Sequence, residues 1–174
     1  LATSSVLAHR GPDDSGIFQH HHQQHYLALI HRRLSILDLE PRSAQPFRLR
    51  NNILCYNGEI YNYLEIKDEL KSLGHQFQTT GDTEVLATAL AEWGAEALDR
   101  LEGMWAFAWY DEVAGRLLLS RDRFGEKPLY LWNTPEGLFF ASEVKGLAAL
   151  RGQWPEINQN HLLRYLVNGY KALY

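Results

Sequence analysis

An α+β fold is predicted by three features of this chain. Apolar runs pair up around polar turns as hairpins, helical stripes are set among them, and no regular βαβ alternation connects them. Its 174 residues, 45% hydrophobic and 22% charged, suffice for one globular domain with a proper core. No repeat or low-complexity linker divides it.

Taken in order, Leu1 to Ala8 reads as the tail of a helix. Tyr26 to Leu39 is rich in Leu and Ile and reads as one or two strands around a polar interruption at His31, Arg32 and Arg33. Ile53 to Tyr56 is a short strand running into a polar turn of Asn57, Gly58 and Glu59. Tyr63, Ile66, Leu70 and Leu73 recur at helical spacing, and Gly74 ends that helix. Thr80, Gly81, Asp82, Thr83 and Glu84 carry a helix-start signal, with Leu86, Leu90 and Trp93 as the apolar stripe that follows. Met104 to Tyr110 and Arg116 to Ser120 form one hairpin; Leu129 to Trp132 and Leu138 to Ala141 form another. Trp105, Phe107 and Trp109 alternate with Ala106 and Ala108, as on a sheet face packed against a core. Helices over Glu143 to Leu150 and from Gln159 onward complete the chain.

Composition narrows the function. A formal charge of -4 argues against a nucleic-acid or anionic-membrane surface, which needs a concentrated basic face. No apolar run is long enough to span a bilayer, and no secretory signal opens the chain. Cys55 is the only cysteine, which rules out an internal disulfide and favours a reducing, cytoplasmic setting. The lack of an initiator Met, and a stop at Tyr174 without a capping signal, predict a chain cut at both ends.

Four polar clusters fall where strands or helices are expected to end: His9-Arg10-Gly11-Pro12-Asp13, His31-Arg32-Arg33, Asn57-Gly58-Glu59 and Gly81-Asp82-Thr83-Glu84. Each alone has a structural reading. Arg10 with Asp13 reads as an ion pair, Arg33 as a surface charge, Asn57-Gly58 as a turn and Asp82 as a helix cap. Together they make a chemically sensible set. A free amino acid needs a cation for its carboxylate, best met by the planar fork of an Arg, and an anion for its ammonium. Carboxamide hydrolysis adds a need for oxyanion donors, such as an Asn amide beside a glycine N–H. Arg33, Asp82, Asn57 and Gly58 supply these parts, and sequence alone leaves open whether they meet in space.

These clusters, in this order, resemble the motif series of class II glutamine amidotransferases. The match runs through His9-Arg10-Gly11-Pro12-Asp13-Asp14-Ser15-Gly16, Arg33-Leu34-Ser35-Ile36-Leu37-Asp38, Tyr56-Asn57-Gly58-Glu59-Ile60-Tyr61-Asn62 and Gly81-Asp82-Thr83-Glu84. It continues through Leu101 to Ala108, Arg121 to Tyr130 and Ala141 to Lys145. Arg-Gly-Pro-Asp and Arg-Leu-Ser-Ile are similar to asparagine synthetases within that class. The resemblance implies a four-layer αββα N-terminal-nucleophile hydrolase sandwich of two antiparallel sheets. It gives Arg33 the glutamine carboxylate, Asp82 its ammonium, Asn57 and Gly58 the oxyanion, and Glu59 a part in orienting the substrate. Leu34, Ser35, Ile36 and Leu37 line the pocket.

The nucleophile implied is an N-terminal cysteine whose own α-amine is the base. That residue is not in the sequence, and Cys55, on a strand, reads as a buried small hydrophobe. As written, the chain is therefore expected to bind glutamine without hydrolysing it. The domain itself is expected to need no cofactor. ATP and Mg belong, on the resemblance, to a separate C-terminal synthetase domain that amidates aspartate and is the expected partner. A homodimer is left open. Two rival readings remain: a non-catalytic domain that keeps the glutamine pocket, and an amidotransferase with a sugar or peptide-like acceptor. The histidines 20, 21, 22 and 25 read as a solvated hairpin tip rather than a metal site, lacking a carboxylate or Cys partner. Arg121, Asp122 and Arg123 read as structural ion pairs.

Overall fold

Alternation along the two central strands decides the architecture. In a computed structural model describing residues 2–34 and 41–169, these strands are β4 (Asn52–Ile60) and β5 (Gly103–Asp111), paired antiparallel. Leu54, Tyr56 and Ile60 of β4, with Trp105, Phe107 and Trp109 of β5, enter one hydrophobic core. Ile53 and Cys55, with Ala108 and Tyr110, enter a second core on the opposite face. Since successive strand residues point to opposite faces, a sheet with two such faces must be covered on both sides. Short β3 (Phe47–Leu49) and β6 (Arg116–Arg121) flank this pair, giving the order β3-β4-β5-β6.

The first face is covered by α2 (Tyr63–Ser72) and α3 (Asp82–Trp93). Ile66 and Leu70 of α2 are buried as its spacing predicts, whereas Leu73 is exposed at the helix end, just before Gly74 turns the chain at φ 98°. α3 is buried nearly all round from Val85 to Leu90, more than its three-residue stripe indicates. The second face is covered by hairpins. One joins β1 (Asp14–His22) and β2 (His25–Arg33); the other joins β7 (Tyr130–Thr134) and β8 (Gly137–Ala141). Phe18, Leu29 and Phe140 carry their contribution to the second core. Outside the hairpins, α4 (Val144–Arg151) packs on β7 and β8, and α1 (Ala2–Val6) packs on α4 and β2. The layers run helix, sheet, sheet, helix, with the second sheet layer divided into two separately hydrogen-bonded hairpins. A last helix, α5 (Gln159–Asn168), presents Leu163, Leu166 and Val167 at the surface.

Three local expectations are corrected. His31, Arg32 and Arg33 do not interrupt a strand: β2 runs through them, paired residue for residue with β1 down to Arg33 against Asp14. Asn57, Gly58 and Glu59 form no turn, because β5 pairs with each of them. The histidine segment is strand as well, the tip being only Gln23 and Gln24. His20 Nδ1 lies 3.0 Å from the Tyr110 hydroxyl, and the His22 ring lies against Gly115.

Candidate active site

Where β3 stops, β4 continues with β5 on one side only. The β3 pairing reaches only Leu54, and a strand residue sends its N–H and C=O to the same edge as the residue two along. Leu54, Tyr56, Gly58 and Ile60 therefore share an edge that β3 leaves uncovered beyond Leu54. The β5 side agrees. Trp105, opposite Gly58, gives its N–H to Asp122 Oδ2 at 3.2 Å and its carbonyl accepts from Asp122 N at 2.8 Å, so both groups face away from β4. The Gly58 N–H thus points outward, into a cleft of about 250 Å³.

Side chains hold this edge on either side of Gly58. Tyr56 N–H donates to Gln45 Oε1 at 2.6 Å, and the Tyr56 carbonyl accepts from His31 Nε2 at 3.1 Å. Ile60 N–H donates to Asp82 Oδ2 at 3.0 Å, and the same oxygen accepts from the Tyr56 hydroxyl at 2.7 Å. Glycine is required at 58: a Cβ there would collide with the Met104 carbonyl oxygen and lie 2.8 Å from Trp105 Cα. The same holds at Gly11, where a Cβ would strike the Arg32–Arg33 peptide. That close approach brings the first polar cluster against the end of β2.

The cleft is lined by Arg33, Leu34, Asn57, Gly58, Glu59 and Asp82, which are six of the residues expected from sequence. Ser35, Ile36 and Leu37 lie outside the described residues. Arg33, at the end of β2, is 8% exposed and is no surface charge. Asp82 opens α3 at 5% exposure, yet its carboxylate reaches across to β4. The N-cap position is Gly81, which has no side chain to cap the helix.

Sequence reasoning did not assign His31, Ser43, Gln45, Tyr56, Met104 or Lys127 to the site, although all six line it. For Gln45 the sequence carried no signal. Tyr56 stood inside a matching motif and His31 inside a polar cluster beside one, and both were passed over.

Burial sets the protonation here. Desolvation holds the Asp82 carboxyl above its usual range, with the Glu59 charge adding to it. Hydrogen bonds from Ile60, Tyr56 and its own N–H offset this only in part. Burial and the Asp82 charge push the Tyr56 phenol up, so it remains a donor. Burial lowers His31 to about 4, with Arg33 opposing its charge as well, and the bond to Tyr56 offsets this only partly. Since a carbonyl can only accept, His31 is the neutral Nε2–H tautomer, and its buried Nδ1 has no partner among the described residues. Cys55 Sγ sits in the second core, its thiol pushed up to about 12 by burial, where it is no nucleophile.

Two supports stand behind the cleft. Asp122, read from sequence as half of an ion pair, instead accepts backbone N–H groups from Trp105, Phe124, Glu126 and Lys127, while Arg121 donates to the carbonyls of Gly125 and Lys127. They shape the loop that brings Lys127 to the cleft. Arg10 also lines the cleft and donates to Glu143 Oε1 at 3.1 Å. Burial works to raise Glu143, but bonds from Arg10, His9 and Lys145 outweigh it and hold the carboxyl at about 2.

A layered sandwich with an uncovered strand edge, and with a buried cation and a buried anion lining the same cleft, is the frame of an N-terminal-nucleophile amidotransferase. The chain belongs to the glutamine amidotransferase domain family, which it matches over residues 1–173. It is 41% identical over 150 residues to asparagine synthetase B [glutamine-hydrolyzing] of Escherichia coli, covering 84% of this chain and 26% of that one. It is 37% identical to asparagine synthetase [glutamine-hydrolyzing] 3 of Bacillus subtilis, covering 84% and 24%. It is 34% identical to putative asparagine synthetase [glutamine-hydrolyzing] 2 of Methanocaldococcus jannaschii, covering 96% and 35%. The chain therefore spans about a quarter to a third of the length of these curated relatives. Among solved structures, the glutamine phosphoribosylpyrophosphate amidotransferase from B. subtilis superposes with a TM-score of 0.70 at 24% identity, covering 86% of this chain and 40% of that one. That likeness shows the fold.

Proposed function

We propose that this domain binds glutamine and, with a cysteine that precedes Leu1 as its N-terminal residue, releases ammonia from it for the synthesis of asparagine. The supporting observation is convergence: Arg33, Asp82, Asn57 and Gly58, far apart in sequence, line one cleft, with the Gly58 N–H on its uncovered strand edge. Arg33 takes the α-carboxylate through its two-pronged donor face. Asp82, desolvated and raised, takes the α-ammonium, whose positive charge favours the ionised carboxylate. Glu59, Leu34 and the neighbouring residues Ser35, Ile36 and Leu37 shape the remainder of the pocket.

The chemistry follows from this placement. The cysteine thiol gives its proton to the α-amine of the same residue, and its sulfur bonds to the side-chain carboxamide carbon (Cδ) of glutamine. The carbonyl electron pair moves onto oxygen, where the Gly58 N–H and the Asn57 side-chain amide stabilise it. When that pair returns, the C–N bond breaks, and the nitrogen leaves as ammonia with the proton held by the amine. Water then adds to the thioester, giving glutamate and the free thiol. The remaining length of a full protein would carry ATP, Mg and aspartate, and receive the ammonia. A lone cysteine fits a reducing cytoplasm, and no helix among the described residues is long and apolar enough to cross a membrane.

The test is Asn57→Ala in the full-length protein. Glutamine-dependent kcat should fall by about 10²–10³ with a smaller change in KM, while synthesis from added ammonia persists. An unchanged kcat removes Asn57 from the oxyanion, and a wild-type protein that binds but never hydrolyses glutamine supports the non-catalytic reading.

A further inference from the structure

The uncovered edge of β4 poses a mechanical problem for the proposed chemistry. An oxyanion donor works only if it is held in place before the charge develops. Gly58 is the most flexible residue type, on a stretch of strand with no paired neighbour on that side among the described residues. Asp82 fixes the edge beyond Gly58 by accepting the Ile60 N–H. On the near side the bonds come from His31 and Gln45, residues of two different segments that meet on one backbone unit. Gln45 Oε1 accepts the Tyr56 N–H, and His31 Nε2–H donates to the Tyr56 carbonyl. A neighbouring strand would supply the same pair of bonds at this position. The two side chains thus replace the strand that β3 is too short to provide, and leave Gly58 between two anchored residues with its own N–H open to the cleft.

We propose that His31 and Gln45 are positioning residues that clamp the Tyr56 edge of β4 and so hold the Gly58 N–H in line for the oxyanion. Neither touches the reacting atoms in this role. His31 is suited to it rather than to proton transfer: Nε2–H is committed to a carbonyl, and Nδ1 is buried away from solvent. This inference rests on the glutaminase reading for its effect on rate, but the clamp itself has a readout free of turnover.

Hydrogen exchange on the wild-type chain and on His31→Ala and Gln45→Ala supplies that readout. Exchange at Tyr56 should quicken at least tenfold (about the loss of one net hydrogen bond), while Ile53, Leu54 and the Asp82-bound Ile60 stay as slow as before. Unchanged exchange overturns the clamp. In the full-length protein, each alanine variant should lose about tenfold or more in glutamine-dependent kcat, since small misplacements of a reacting group cost that much, with KM nearly constant. Inhibition by glutamate γ-semialdehyde, whose adduct with the nucleophile carries the oxyanion, should weaken in step with kcat, while glutamate binding holds. His31→Gln retains an N–H donor and Gln45→Glu retains an acceptor, so both should recover most of the rate. Parallel loss of glutamate binding and of kcat, or loss of one limb of the pH–rate profile in His31→Gln, would overturn the positioning role. A wild-type protein without hydrolysis sinks the glutaminase reading, and the exchange result then judges the clamp alone.

Discussion

Replacing Asp82 with Asn separates binding from stability in a way that few substitutions at a site can. The hydrogen bonds that tie the carboxylate to β4, from Ile60 N–H and Tyr56 O–H, both fall on Oδ2, so the single oxygen of Asn can keep these two. What disappears is the charge. For glutamine, this removes one partner of a largely desolvated pair, a loss of about 3–5 kcal/mol in a closed interior. An open cleft places the effect near the lower end, so about 10²-fold weaker binding follows. For the protein without ligand the sign reverses. The folded Asp82 carboxyl lies above its unfolded value, so the folded state holds the proton to a higher pH than the unfolded chain does. Stability from this group therefore falls as pH rises from the unfolded value through the folded one, and at pH 7 the group is a net cost to the fold. Asp82→Asn should match or exceed the wild-type Tm at pH 7, with the gap closing as pH drops toward 4. Calorimetric titration with glutamine and scanning calorimetry across pH read the two halves. Glutamine affinity within threefold of wild type, or a Tm several degrees lower at pH 7, would refute the reasoning.

Arg33→Ala should raise the glutamine KM strongly and spare ammonia-dependent synthesis, and Arg33→Lys should restore little because an ammonium cannot grip a carboxylate with two parallel bonds; steady-state kinetics with both nitrogen sources decides. Gly58→Ala should cost about 1–3 kcal/mol in urea unfolding, since its Cβ must displace the β5 backbone at Met104 and Trp105, and should abolish glutamine-dependent turnover. His31 contributes stability that is complete above its unfolded value near 6.5 and is lost as pH falls through 6.5 toward 4, because the unfolded chain takes up the proton first. A plot of Tm against pH should be flatter over that interval in His31→Gln than in wild type.

Helices and hairpins were legible because their patterns are local: three- and four-residue spacing for α2, alternation for β5, a turn cluster between β7 and β8. The site was legible as a set of residue types and less so as geometry. Asn57-Gly58 has the local chemistry of a turn, but cross-strand pairing with Ala106 and Trp105 outweighs it, and the glycine serves close backbone approach instead. His31 and Arg33 look like a break in an apolar run, yet they stand on the same face of β2 as buried Leu29, where the site needs polar groups. Asp122 shows its charge in the sequence but not its partners, which are backbone N–H groups. Gln45 carries no mark at all, since what it does depends on where β3 stops.

A crystal structure of the protein with glutamine bound tests the central claim most directly. The α-carboxylate should lie against the Arg33 guanidinium and the α-ammonium against Asp82. The γ-carbonyl oxygen should fall within hydrogen-bond reach of the Gly58 N–H and the Asn57 amide. Glutamine seated elsewhere, or turned so that its carboxamide faces Arg33 and its backbone faces Gly58, would contradict the account.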